Sequence, residues 1–130
     1  MNGGRAKEFR PPSGFIPVVM ELITWRDLER VVLCAGTVIA VVDLPNARKP
    51  AYVLTIDFGL HGIKRSSAQI TKHYRKEELL GRQVVAVINL PPKQVGHVMS
   101  ECLVTGFADA DGRIVLTAVE RPVPDGSRLC

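Results

Sequence analysis

Between Tyr52 and Phe58 the chain alternates, with Tyr52, Leu54, Ile56 and Phe58 on one side and Val53, Thr55 and Asp57 on the other. A period of two is that of a strand with one face buried. Four other runs are rich in Val, Ile and Thr and read as strands: Val31 to Val42, Gln83 to Asn89, Cys102 to Phe107 and Arg113 to Val119. Turn chemistry separates the runs at Pro45-Asn46, at Gly59 to Gly62, at Pro91-Pro92 and at Asp111-Gly112, the last pair suited to a hairpin. Two short stretches read as helix instead. Trp25, Leu28 and Val32 share a helical face behind Thr24, a residue fit for an N-cap, with Asp27 at the capping-box position. Ser66 with Gln69 three residues later reads as a capped start, and Tyr74 to Leu80 as a helix ended by Gly81.

The order is strand, strand, short helix, strand, strand, strand. An all-β fold follows, and five short strands suit a five-stranded Greek-key OB-fold barrel, whereas a sandwich needs about seven. Short helices are expected at the N-terminus and, in the strand order of such a barrel, between strands 3 and 4. With 130 residues the chain holds one core. Residues 1–19, with Gly3-Gly4, Pro11-Pro12 and Pro17, read as a flexible leader before a domain over residues 20–130, and Met20 reads as an alternative start. The prolines break any apolar run of the kind a signal peptide needs. No stretch nears the roughly 20 apolar residues of a membrane span, so no membrane insertion is expected.

Charge sharpens this picture. The net charge of +4 conceals an uneven distribution: Arg48 to Lys93 holds nine basic residues against Asp57, Glu77 and Glu78. Cations mixed with small hydrogen-bonding side chains, as in Lys64-Arg65-Ser66-Ser67-Ala68-Gln69, suit phosphate and sugar contacts. Three segments carry the candidates. Asn46, Arg48 and Lys49 lie in the link between the first two strands, which borders the binding face of an OB barrel. Lys64, Arg65, Ser66, Ser67 and Gln69 lie in the second segment, where a helix start would offer free N–H groups to anions. Asn89 and Lys93 flank the rigid Pro91-Pro92, and Ser100 and Glu101 follow before the next strand.

Nothing in the chain reads as an enzyme or a cofactor site. His61, His73 and His97 are scattered, and there is no H-x-x-x-H spacing, P-loop, G-x-S-x-G or G-x-G-x-x-G. Glu77-Glu78 suits a helix dipole better than acid-base work. Cys34, Cys102 and Cys130 lack C-x-x-C spacing, which points to a reducing cytoplasm, with Cys34 and Cys102 as small buried hydrophobes.

Four blocks together carry a resemblance: PNARKPAY at 45–52, IKRSSAQIT at 63–71, NLPPK at 89–93 and MSECLVTG at 99–106. In this order they resemble the CsaA family of secretion-related chaperones, which belongs with the tRNA-binding domains at the C-terminus of some methionyl-tRNA synthetases and in phenylalanyl-tRNA synthetase β chains. The resemblance covers about Thr24 to Arg128. It implies an OB fold, a homodimer built partly from N- and C-terminal segments, and binding of tRNA or other structured RNA. Binding of unfolded or exported (preprotein) polypeptides is also implied. The matched positions are Arg48, Lys49, Lys64, Arg65, Ser66, Ser67, Gln69, Asn89, Lys93, Gly96, Ser100 and Glu101. One departure stands out: Cys34-Ala35 precedes Gly36 where the family usually has a basic residue and valine. With few aromatics to stack bases, backbone and shape recognition should dominate.

Overall fold

The computed structural model describes residues 20–130. The expected leader lies outside the described residues. In chain order the elements are α1 (Trp25–Glu29), β1 (Leu33–Asp43), β2 (Tyr52–Asp57), a 3-10 turn (Gly59–His61), β3 (Ile63–Ala68), α2 (Lys76–Leu79), β4 (Gln83–Val87), β5 (Lys93–Val95), β6 (Val98–Ser100), β7 (Leu103–Val104), β8 (Gly106–Ala108) and β9 (Ile114–Leu116).

β1 is the hub because it is long enough to serve two partners. Its first half pairs antiparallel with β4 and its second half with β2. A bulge at Ile39, where Val38 faces Ile56 but Ala40 faces Thr55, bends the strand between the two. β3 continues the sheet beyond β2, and β7 flanks β4, giving the order β3-β2-β1-β4-β7. The result is a nearly closed five-stranded antiparallel barrel of OB type. The hairpins β5–β6 and β8–β9 stand outside this sheet.

The inward side chains form the core: Val38, Leu54, Ile56, Phe58, Leu79 and Val84 have no exposed surface. Fully burying each such side chain contributes roughly 1.5–3 kcal/mol. Gly36 is where β1 passes closest to this core. A Cβ there would lie 2.6 Å from two atoms of the Phe58 ring and 2.7 Å from Ile56 Cγ2. α2 closes one end by inserting Leu79, and Lys76 meets Asp43 at 2.6 Å. Gly81 follows at φ +84°, the left-handed closing position, and its N–H donates to the Val38 carbonyl at 2.8 Å. The Tyr52 hydroxyl donates to the Tyr74 carbonyl, while the Tyr74 hydroxyl accepts from the Leu116 N–H. Asp109 ties the β8–β9 turn to the segment before α2 through His73 Nε2 at 2.6 Å. That bond, with the N–H groups of Arg113 and Asp111, holds the Asp109 carboxyl below the ordinary aspartate range.

Several expectations hold. Thr24 caps α1 in a reciprocal box, its hydroxyl accepting from the Asp27 N–H and its N–H donating to the Asp27 carboxylate, both at 3.0 Å. Asp111-Gly112 turns the β8–β9 hairpin, with Gly112 at φ +79°. Cys34 and Cys102 are buried free thiols. Others are corrected. Residues 63–68 form a strand, not a capped helix start, because Ser66 lies opposite the core residue Leu54 and its own side chain is buried. That strand takes the fifth place in the sheet; the run at 113–119 supplies only β9, and the run at 102–107 breaks at Thr105 into β7 and β8. The helix expected from Tyr74 begins at Lys76.

Replacing Gly36 with Ala should lower stability by about 1–3 kcal/mol, since neither the ring nor the isoleucine can yield without disturbing a packed core. Urea unfolding reads this as a lower midpoint at unchanged slope.

Candidate functional site

β2 is buried on both faces. Leu54 and Ile56 enter the barrel, and Val53, pointing the other way, packs with Leu44 and Ala51 in a second apolar cluster that Ala47, Val95 and Val98 complete. This small cluster pins two segments over the outer face of the sheet: the loop at residues 44–51 and the β5–β6 hairpin. The loop is closed at its base by the Leu44 N–H donating to the Ala51 carbonyl at 2.9 Å, and Asn46 turns it at φ +55°. The hairpin places Lys93 opposite Ser100 and turns at Gly96-His97, with Gly96 at φ +61°.

Between these segments runs a groove of about 1340 Å³. Arg48 and Lys49 stand on one wall, Pro91, Pro92 and Lys93 on the other, and Ser67 and Gln69 lie between them. Among the described residues no carboxylate lines it. None of the four ion pairs among the described residues uses Arg48, Lys49, Arg65 or Lys93. The side-chain amides of Asn46 and Gln69 make no hydrogen bond within the described residues, so they too face the groove uncommitted. A phosphate-bearing ligand would find cations on both walls and nothing to repel it.

The seam of the barrel runs beside the groove and is closed largely by side chains. Glu101 and Arg65 exchange bonds, the Arg65 N–H donating to Glu101 Oε1 at 3.0 Å and the Glu101 N–H donating to the Arg65 carbonyl at 2.7 Å. The Ser67 N–H donates to the Ser100 hydroxyl at 3.2 Å. Ser100 and Glu101 thus satisfy main-chain donors on the open edge of β3.

Of the residues singled out from sequence, the fold brings Asn46, Arg48, Lys49, Ser67, Gln69, Lys93 and Ser100 together in the groove. Arg65 lies outside it, two residues along β3 from Ser67 and on the same face. Lys64 and Ser66 point to the other face: Lys64 sits opposite the buried Ile56, and Ser66 opposite Leu54. Lys64 is close enough to Cys102 to oppose the burial that pushes that thiol up to about 11. Asn89 is a clasp: its Oδ1 accepts from the Val32 N–H at 3.0 Å, and its Nδ2 donates to the Arg30 carbonyl at 2.6 Å. It holds the segment after α1 against the barrel. Gly96 serves the hairpin turn. Sequence reasoning missed the β5–β6 hairpin itself, whose signal was a two-residue Gly96-His97 turn between Val95 and Val98. Among the described residues no group of three or more His, Cys, Asp or Glu side chains could hold a metal ion.

Residues 33–128 match the family model described as "Putative tRNA binding domain". The chain belongs to this family. Within it, the chain is similar to chaperone CsaA of Bacillus anthracis, with 42% identity and a TM-score of 0.80 over 85% of this chain and all of that one. CsaA of Picrophilus torridus gives 40% identity and a TM-score of 0.78 over 84% of this chain and all of that one. The methionine–tRNA ligase of Porphyromonas gingivalis is 36% identical over 85% of this chain. This CsaA-like tRNA-binding domain spans only 16% of that ligase. The fold therefore occurs both at the length of this domain and as a fraction of a synthetase-sized chain.

The seam makes a separable prediction for the tRNA-binding domain. Glu101→Ala should destabilise it by about 0.5–1.5 kcal/mol by removing the acceptor of the Arg65 N–H, while Glu101→Gln, which keeps an acceptor oxygen, should lose less. Paired denaturant midpoints for the two variants check this.

Proposed function

We propose that this protein is a non-catalytic, cytoplasmic tRNA-binding protein that holds structured RNA in the groove between the 44–51 loop and the β5–β6 hairpin, and that it works as a homodimer. The supporting observation is the groove itself: Arg48, Lys49 and Lys93 converge from separate segments with no carboxylate lining it among the described residues. Membership of a tRNA-binding family agrees with it. The working unit would be the domain from residue 20 onward. Among the described residues the groove carries no aromatic side chain, so contacts to phosphate and ribose, with Asn46, Ser67 and Gln69 on sugars or unpaired bases, outweigh base stacking.

The homodimer reading rests on apolar surface near the chain ends. α1 buries none of its residues, and Leu22 (99% exposed), Trp25 (82%) and Leu129 (62%) stand in solvent. A second copy would cover them and set two grooves about one two-fold axis.

A second reading has its own observation. Leu44, Leu90, Val95 and Leu103 also line the groove, and Phe107 is 72% exposed, so extended or unfolded polypeptides are the alternative ligand, in keeping with the chaperone name of the CsaA relatives.

Ionic strength separates the two. With about four phosphates neutralised, the affinity for bulk tRNA should fall with salt at a log–log slope on the order of −3. Peptide binding through apolar contacts should depend weakly on salt. A filter-binding titration across ionic strength measures the slope; no tRNA retained at low salt, or a flat titration, would defeat the RNA reading. Sedimentation at micromolar concentration should return twice the chain mass, and a monomer there would defeat the homodimer.

A further inference from the structure

We propose that Arg65 is the anchoring phosphate contact of this surface, its guanidinium gripping one phosphodiester through two parallel N–H···O bonds, and that its neighbour Lys64 takes no part. The inference rests on the RNA reading above and goes beyond it by dividing two adjacent cations that the sequence presents as equals.

The division follows from the pleat. Successive side chains of a strand leave on opposite faces. Arg65 stands opposite Thr55 of β2, which stands opposite Ala40 of β1. These three form a row across the outer face, and two of them are small. Lys64 belongs to the inner row with Ile56 and Val38, both fully buried, and its charge is felt by the buried Cys102. The two side chains therefore leave β3 on opposite faces.

Arg65 also has a more firmly held main chain than Arg48, Lys49 or Lys93. Its main chain is held on one side by pairing with Thr55 and on the other by the two bonds with Glu101, and its carbonyl takes a further contact from the Cys102 thiol at 3.8 Å. Arg48 and Lys49 ride on a loop, and Lys93 begins a three-residue strand. A charge whose main chain is bonded on both sides, even on an edge strand, holds its base more tightly than one on a loop. The Glu101 carboxylate is engaged by the Arg65 main-chain N–H, and no ion pair among the described residues uses the guanidinium. The fork is exposed and one pleat repeat, about 6.8 Å, beyond Ser67 at the groove. A planar guanidinium carried on a held main chain matches a phosphodiester through both nitrogens, which an ammonium cannot do.

The test is tRNA affinity at several salt concentrations for the parent, Arg65→Ala, Arg65→Lys, Lys64→Ala and Lys93→Ala, each checked for a parental unfolding transition. Arg65→Ala should weaken binding tenfold or more and make the salt slope shallower by about 0.9. Arg65→Lys should restore the slope, because the charge returns, yet recover little of the affinity. Lys64→Ala should stay within twofold of the parent at an unchanged slope. The proposal is overturned if Arg65→Lys binds like the parent, if Arg65→Ala does, or if Lys64→Ala loses as much as Arg65→Ala. Should Arg65→Ala not fold, the lysine variant decides alone. Failure of the underlying reading has a different signature: the parent binds without salt dependence, or Lys93→Ala changes nothing.

Discussion

Val53 is the residue on which the geometry of the groove depends. It lies on the outer face of β2, where a barrel strand would ordinarily meet water, and its burial is what draws a loop and a hairpin across the sheet. Both walls of the groove are thereby fastened to one apolar side chain and its few neighbours. The consequence is a division of labour: the inner cluster holds the barrel, and the outer one sets the distance between Arg48-Lys49 and Lys93. Truncation at Val53 would widen the groove before it unfolded the domain, because the inner cluster does not contain it.

Much of the barrel was legible because its strands obey the alternation that one buried face imposes. β2 and the first part of β4 carry it openly, and the Thr24 cap and the Asp111-Gly112 turn are local chemistry that tertiary packing did not override. β3 was hidden for a physical reason. Its inward positions are Lys64, Ser66 and Ala68, opposite Ile56, Leu54 and Tyr52, and a strand with so little apolar volume resembles a helix cap. The β5–β6 hairpin was hidden by its brevity. Three-residue strands carry too few positions for a period to appear.

The candidate site was legible as a set of segments and not as a set of side chains. Positive charge at 48–49 and 93 converges because loop and hairpin share the Val53 cluster. Sequence could not say which members of the 64–69 block face outward, since that depends on the register of β3 against β2. Nor could it show that Asn89, Ser100 and Glu101 have partners already: Asn89 in the backbone near α1, Ser100 and Glu101 in the edge of β3. Polar residues beside a basic face attract a ligand-binding reading, and main-chain donors can claim them first.

The segment from Pro124 to Leu129 laces along the first half of β1, through bonds between Ala35 and residues 126 and 127 and between Leu33 and Leu129, while the Asp125 carboxylate accepts from the Thr37 hydroxyl at 2.6 Å across 88 residues of sequence. During synthesis, then, β1 waits for a segment 88 residues further along the chain to emerge before its second edge is covered. Until that moment the nascent barrel presents a bare strand edge to its surroundings, the kind of surface on which neighbouring chains can template. The segment from Pro124 to Leu129 acts as the zip fastener of the fold, and conditions that delay its arrival would tax solubility more than they tax the folded domain's stability.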